Sequence, residues 1–487
     1  MAPSYTQLFA AACALATTAH AVSPIEVKGK DFVNSKSGDR FQILGVDYQP
    51  GGSSGFSATK DPLSDADACL RDAALMQSLG VNTIRVYNLS PNVDHSKCAS
   101  IFNGAGIYMV LDVNSPLSGG SLDRTDPSGT YNSVYFEQVF GIIEAFKNFP
   151  NTLGFFAGNE VINEDSVYEA PAYVRAVVRD MKDYISTNAN RSIPVGYSAA
   201  DVRDILVDTL DYFMCDMSNS TSSQSDFFGL NSYSWCGDST YTESGYNVLV
   251  EDFNNASLPV FFSEFGCNAV MPRTFTEVAA LYSEKMTDVF SGGLVYEWTE
   301  EANDYGLVSI NSTDTATLLT DYKNLEKQYS KVDMTSVETS NSSQTSKAAP
   351  TCDSSLITSS SFLNSWDLPS TPSKVAEWIK SGYGNATVGS LVSVSATTIP
   401  QTIYDWNGNK LSNIKYKVLA SDESNTPNNS TSVSSSSSSG SSAAASSSSA
   451  GSSASSSSMS TSAAAGLSSA SFMGLVTGAT LFAALLL

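Results

Sequence analysis

The chain has 487 residues, of which 42% are hydrophobic and 10% aromatic, enough for one large folded domain or two to three small ones. Lys and Arg number 26 against 49 Asp and Glu, and a net charge of −23 excludes a phosphate-backbone binder and a polybasic membrane patch. With only two histidines, His20 and His95, a His-rich metal site is excluded and carboxylates become the expected acid–base groups.

The N-terminal stretch MAPSYTQLFAAACALATTAHA has an apolar core from Leu8 to about Ala16 and an A-x-A cleavage signal at Ala19–Ala21. Residues 1–21 are therefore expected to be a signal peptide, too short to span a bilayer. From residue 40 to 299, short β-branched or aromatic runs alternate with helical patterns. The expected strands are Phe41–Tyr48, Val81–Tyr87, Ile107–Val113, Thr152–Asn159, Ile193–Tyr197, Phe227–Tyr233, Val260–Phe265 and Leu294–Trp298, with an extra strand-like piece at Tyr212–Cys215. Helical periodicity marks DADACLRDAALMQSLG, which ends on a capping Gly80, then YFEQVFGIIEAFKNF and a last helix, DYKNLEKQYSKV. Eight strands alternating with helices over about 260 residues match a (β/α)₈ TIM barrel in fold class α/β. A doubly wound sheet is disfavoured, since no G-x-G-x-x-G turn follows an early strand.

A barrel places its chemistry at the C-terminal strand ends. Here those ends are rich in carboxylate, amide and aromatic residues: VDYQPGG, RVYNLSP, LDVNSP, AGNE, GYSAADVR, LNSYSWCG, SEFGC and YEWTEE. Glu160 closes the fourth strand and Glu264 the seventh. Two carboxyl groups across one barrel mouth are what glycosidic-bond chemistry requires, and a spacing of roughly 5–5.5 Å gives a covalent intermediate and retention. Asn159 is placed to bond a sugar 2-hydroxyl. Tyr87, Tyr233, Trp235, Tyr296 and Trp298 offer rings for pyranose faces, while Gln49, Asp112, Asp201 and Arg203 offer hydroxyl contacts or barrel-end ion pairs. His95 reads as a surface or helix residue, and no cofactor or metal is required.

Beyond the barrel, 336–425 reads as a small β-rich accessory segment with alternation in SLVSVSATT and with Trp366, Trp378 and Trp406. Residues 426–462 are a Ser-rich linker, expected to stay extended. Small residues beginning at Ser462, a spacer and an apolar tail at 472–487 form a GPI-attachment pattern, so 463–487 is the expected propeptide, with a C-terminal membrane helix as the rival. Both ends imply secretion, as do nine N-x-S/T sequons from Asn88 to Asn429. Removal of Cys13 with the signal leaves six cysteines, enough for three disulfides in fifteen possible pairings.

GVDYQPGG, NTIRVYNLSP, GIYMVLDV, GFFAGNEV, DFFGLNSYSWCG, PVFFSEFGC and GGLVYEWTEEANDYGLV, with the anchor-type tail, resemble the fungal β-1,3-glucanosyltransferases of glycoside hydrolase family 72 over roughly residues 25–330. The resemblance implies a retaining cell-surface enzyme that cleaves β-1,3-glucan internally and joins the donor to the non-reducing end of another chain. It implies Glu160 as acid/base and Glu264 as nucleophile. Gln49, Tyr87, Asp112, Asn114, Arg124, Asn159, Asp201, Arg203, Tyr233, Tyr296 and Tyr305 are its implied substrate contacts. The partners it implies are glucan donor and acceptor and, through a GPI anchor, the outer leaflet; a monomer is expected. Cys352 is the only cysteine after Cys267, so the Cys-rich module of longer family members is absent. On a barrel, Cys236 can meet Cys267 and Cys69 can meet Cys98, which leaves Cys215 for Cys352. Hydrolysis by an endo-β-1,3-glucanase and a non-catalytic wall-binding role remain the alternatives.

Overall fold

The computed structural model describes residues 21–164, 169–339, 347–360, 362 and 365–429. The signal sequence up to residue 20, most of the Ser-rich linker, the attachment position Ser462 and the apolar tail lie outside the described residues.

Three short antiparallel strands open the fold: β1 (Ile25–Lys28), β2 (Asp31–Asn34) and β3 (Arg40–Phe41). Eight parallel strands then close into a barrel: β4 (Ile43–Asp47), β5 (Thr83–Val86), β6 (Tyr108–Asp112), β7 (Thr152–Asn159), β8 (Val195–Ala200), β9 (Phe227–Asn231), β10 (Val260–Phe265) and β11 (Phe290–Val295). All eight expected strands are present. The chain crosses over through helices after each of the first seven, as parallel neighbours require. The barrel interior is filled by Tyr108, Val110, Phe156, Phe227, Phe261 and Leu294, with Phe32 of β2 packed against Phe227 and Phe261. Ring centroids there lie 5.2–6.0 Å apart, within the range for edge and tilted aromatic contacts.

Local chemistry fixes the helices. Asp65 caps helix Ala66–Leu79 by accepting from the N–H groups of Asp67 and Ala68, and Gly80 ends it at φ 80°, a left-handed conformation that costs glycine little. Asn132 caps Ser133–Phe146 in the same way. The strand-like Tyr212–Cys215 forms the end of helix Leu206–Met214. Leu206, Leu210 and Phe213 are buried at helical spacing, which overrides the β propensity of Tyr212 and Phe213.

The post-barrel segment departs from the β-rich expectation. Its described residues hold two strands of two residues each, β14 (Ile403–Tyr404) and β15 (Lys410–Leu411), beside the end of helix Met334–Thr339, a short helical turn Ser354–Leu356 and helix Ser373–Ser381. β14 joins the hairpin β12 (Val308–Ile310)–β13 (Ala316–Leu318) by pairing parallel to β13. The segment is otherwise a belt laid over the barrel helices, within the same compact unit. Thr358 and Ser359 donate backbone N–H groups to Asp208, Trp366 stacks on Tyr212 at 4.9 Å, and Thr371 bonds Asp180. Tyr416 donates to the Ile101 carbonyl, and Pro427 sits where a Cβ on Gly80 would fall. SLVSVSATT forms no strand: Val392 donates its N–H to Ser100 Oγ, and side-chain partners replace a ladder. Disulfides join Cys69 to Cys98, Cys236 to Cys267, and Cys215 to Cys352, the last tying the belt to helix Leu206–Met214.

His95 is not at the surface. It is buried before helix Ser96–Gly104, with Nε2 2.7 Å from Asp61 Oδ2 and its ring stacked on Phe146 at 4.6 Å. Asp61 also accepts from the N–H groups of Leu63 and Ser90, so the pair joins two loops.

Candidate active site

Six of the eight barrel strands carry a polar side chain within their last two residues: Asp47, Arg85, Asp112, Asn159, Asn231 and Glu264. β5 supplies Arg85, which is wholly buried in a strand otherwise made of Thr, Ile and Val. Its guanidinium reaches Asp112 at the end of β6 by two bonds of 2.9 and 3.2 Å, and Asn159 at the end of β7 by one of 2.8 Å. It also reaches Asn231 on β9, the Ser263 carbonyl on β10 and Glu264, at 3.2–3.4 Å. Burial works against the Arg85 charge, but Asp112, Tyr87 and Glu264 outweigh it and hold the guanidinium protonated.

Glu264 ends up with three donors on two oxygens. Arg85 and the Tyr87 hydroxyl, 2.9 Å away, reach Oε1, and the Tyr233 hydroxyl gives a 2.6 Å bond to Oε2. Burial pushes both tyrosine hydroxyls well above their ordinary range, so they stay protonated as donors. Burial also pushes the Glu264 carboxyl up to about 7 and the Glu160 charge adds to this, while Arg85, Tyr233 and Tyr87 pull the other way.

Glu160 follows β7 at φ 47°, a left-handed conformation costly for a residue with a Cβ, with its N–H held on the Ser198 carbonyl of β8. Its Oε1 accepts from Asn231 Nδ2 at 2.8 Å, and the same amide reaches Asn159 Oδ1 at 3.1 Å. Asn231 Oδ1 takes bonds from Ser198, Ser263 and Arg85. Glu160 and Glu264 therefore share one network through Asn231 and Arg85. Neither bridging residue was singled out from the sequence, although an arginine inside an apolar strand signals a buried charge in need of partners.

The remaining expected contacts divide. Tyr87, Tyr233, Tyr296 and Tyr305 form one edge-on ring cluster with centroids 5.2–6.3 Å apart, beside Glu264. Gln49 is buried beside Asn88, whose N–H it accepts at 3.1 Å. Asn114 is engaged with the Ala157 carbonyl and the Tyr135 hydroxyl. Arg124 is half-buried, its charge acting on Asp123 and Tyr197. Asp201 pairs with the exposed Arg203 and accepts from Ser232 Oγ, so these two form a rim ion pair rather than joining the Arg85 network. Trp298 is fully buried and Trp235 nearly so, which makes both rings packing residues. The described residues contain no His, Cys, Asp and Glu cluster suited to a metal ion.

A closed (β/α)₈ barrel with two networked carboxyl groups and a tyrosine collar at its C-terminal mouth is suited to cleaving and re-forming glycosidic bonds. Residues 14–333 match the family model Glyco_hydro_72, Glucanosyltransferase, and the chain belongs to that family. It is 69% identical over 427 residues to the 1,3-beta-glucanosyltransferase gel2 of Aspergillus fumigatus, covering 88% of this chain and 90% of that protein. It is 46% identical over 444 residues to the probable 1,3-beta-glucanosyltransferase GAS3 of Saccharomyces cerevisiae, covering 86% and 84%. Among solved structures it resembles a mutant of Saccharomyces cerevisiae Gas2 in complex with laminaritetraose and laminaripentaose. That likeness has a TM-score of 0.63 at 40% identity and covers 72% of this chain and 76% of that one.

Proposed function

We infer that the chain is a 1,3-β-glucanosyltransferase acting on β-1,3-glucan, with Glu160 as acid/base and Glu264 as nucleophile. Membership of the glucanosyltransferase family supports the activity. The division of roles rests on the donors each carboxyl receives. Glu264 faces three donors, which hold both its oxygens in place and offset part of the cost of burying its charge, whereas Glu160 is half-buried and takes one amide donor on one oxygen.

In the first half-reaction Glu160 protonates the glycosidic oxygen as Glu264 attacks the anomeric carbon; the C–O bond breaks and the reducing-end fragment leaves with the proton. The donor stays as an ester on Glu264. In the second, Glu160 takes the proton from the 3-hydroxyl of an incoming glucan, whose oxygen displaces Glu264 with net retention. Water in place of that hydroxyl gives hydrolysis. The tyrosine cluster supports transfer by offering surfaces on which an acceptor sugar is held at high effective concentration. Gln49, Asp112, Asn114, Arg124 and Asn159 are proposed to bind or align the glucan, with Asp201 and Arg203 at its edge. We place the enzyme at the cell surface, held by a GPI anchor attached near Ser462. Incubation with a reduced β-1,3-oligosaccharide tests the activity: products longer than the substrate are expected, and only shorter ones would make the protein an endoglucanase.

A further inference from the structure

Arg273 is buried in the loop between β10 and helix Glu277–Leu281, and nothing in the two half-reactions uses it. Its Nε donates to Asp321 Oδ2 at 2.6 Å and its main-chain N–H to Asp321 Oδ1 at 3.2 Å. Asp321 is itself buried, in the first turn of helix Thr320–Tyr329. Asn324 and Gln328 of the same helix donate to the carbonyls of Arg273 and Thr274, so this loop is fastened to the helix along its length.

The rest of the guanidinium is spent on main chain. Nη1 donates to the carbonyls of Gly266 at 3.2 Å and Tyr296 at 2.6 Å, and Nη2 donates to that of Tyr305. Gly266 lies two residues past Glu264, and Tyr296 and Tyr305 pack edge-on in the tyrosine cluster at 5.2 Å. The Tyr305 carbonyl also takes the Glu297 N–H at 3.1 Å, and the guanidinium carbon lies 5.6 Å from the centre of the Tyr305 ring. One side chain thus ties the loops after β10 and β11 to each other and to the outer helix. A buried ion pair often brings no more stability than apolar residues of the same size, so stability alone does not account for this one. What it specifies is the course of the main chain beneath two of the four tyrosines.

We propose that Arg273, held by Asp321, is a positioning residue for the acceptor: by gripping the Tyr296 and Tyr305 carbonyls it sets the surface on which the incoming glucan is held in the second half-reaction. The proposal rests on reading the tyrosine cluster as the acceptor surface. Glu264 has side-chain donors of its own in Arg85, Tyr87 and Tyr233, so its attack on a donor whose leaving group is not a sugar does not call on Arg273. The planar fork of an arginine reaches carbonyls lying in different directions, whereas a lysine ammonium is a compact charge that keeps Asp321 paired and cannot span them.

The test is Arg273→Lys in the full chain. The donor is 2,4-dinitrophenyl β-laminaritetraoside with its terminal 3-hydroxyl methylated, so that it cannot itself accept, and the acceptor is reduced laminaritetraose. Dinitrophenolate release without acceptor reads ester formation and its hydrolysis; the acceptor concentration that sends half of the donor to transfer reads acceptor binding. Arg273→Lys should keep release within threefold of wild type and raise that half-saturation at least fivefold. A rise below fivefold would reduce Arg273 to packing, and release down more than threefold would make it a support of the nucleophile; either overturns the proposal. Should Arg273→Lys fail to fold, Asp321→Asn takes its place, since it removes the carboxylate that holds Nε. A half-saturation raised at least threefold is then expected, and an unchanged one refutes the role. The wild type separates the two ideas: hydrolysis alone at every acceptor concentration sinks the transferase reading, whereas wild-type transfer matched by Arg273→Lys sinks only the Arg273 role.

Discussion

Replacing Tyr233 by Phe removes one hydroxyl and leaves the ring cluster with Tyr296 and Tyr305 in place. The lost contact is the 2.6 Å bond to Glu264 Oε2, at the short end expected for a hydroxyl donating to a carboxylate. A hydrogen bond to a charged group contributes about 1.5–3 kcal/mol. If that stabilisation is fully expressed in the transition state, kcat/KM should fall roughly 10- to 150-fold. The pH dependence follows in sign. The Tyr233 bond lowers the Glu264 pKa, so its loss raises it and leaves a smaller ionised fraction at any acidic pH. The nucleophile must be ionised, so the acidic limb of kcat/KM should move to higher pH. The assay is kcat/KM for a β-1,3-oligosaccharide across the acid range, in wild type and Tyr233→Phe. A limb that stays in place, or moves to lower pH, would refute the assignment of Glu264 as the ionised partner. A raised KM alone would make Tyr233 a sugar-contact residue only.

Arg85→Met should cost about 3–5 kcal/mol of stability in urea unfolding, because it strands Asp112 and Glu264 without their cation in a buried site; a cost below about 1 kcal/mol would contradict the network. Replacing both Cys215 and Cys352 by Ser opens a bond spanning 137 residues, and the unfolding free energy should fall by about 2–5 kcal/mol. Activity per folded molecule should survive, since the belt beside this disulfide is held on Asp208 and Asp180 of the outer helices Leu206–Met214 and Ala170–Asn188; a specific loss of kcat in the folded variant would give the belt a part in the reaction. In cells, phosphatidylinositol-specific phospholipase C should release the protein from membranes, and a stop codon at Ser462 should send it to the medium. Retention in both cases would favour another form of attachment.

The barrel was legible because each strand is a compact β-branched or aromatic run between helical periods. Thr152–Asn159 and Val260–Phe265 match to the residue, while the last strand begins four residues earlier than expected because Ser291, Gly292 and Gly293 carry little apolar signal. Strand-end chemistry drew attention to Glu160 and Glu264, but not to the groups that connect them. Arg85 was hidden by apolar neighbours, and Asn231 by the tyrosine two residues on. His95 reads as a polar helix residue unless its partner Asp61, 34 positions away, is known. The belt misled for a related reason: alternation in SLVSVSATT marks an extended chain, and the sequence does not tell a ladder partner from the serine side chains it meets.

In the proposed mechanism Glu264 and Glu160 act on one anomeric carbon, the first by covalent attack and the second by proton transfer. The most direct measurement is to trap the intermediate with a 2-deoxy-2-fluoro laminaribiosyl donor and map the labelled peptide by mass spectrometry. A single 2-deoxy-2-fluoro-laminaribiosyl ester, α at its anomeric carbon, is expected on Glu264, formed with wild-type enzyme and abolished in Glu264→Gln. Label on Glu160 or any other carboxylate, or a product of inverted configuration with no label at all, would contradict it.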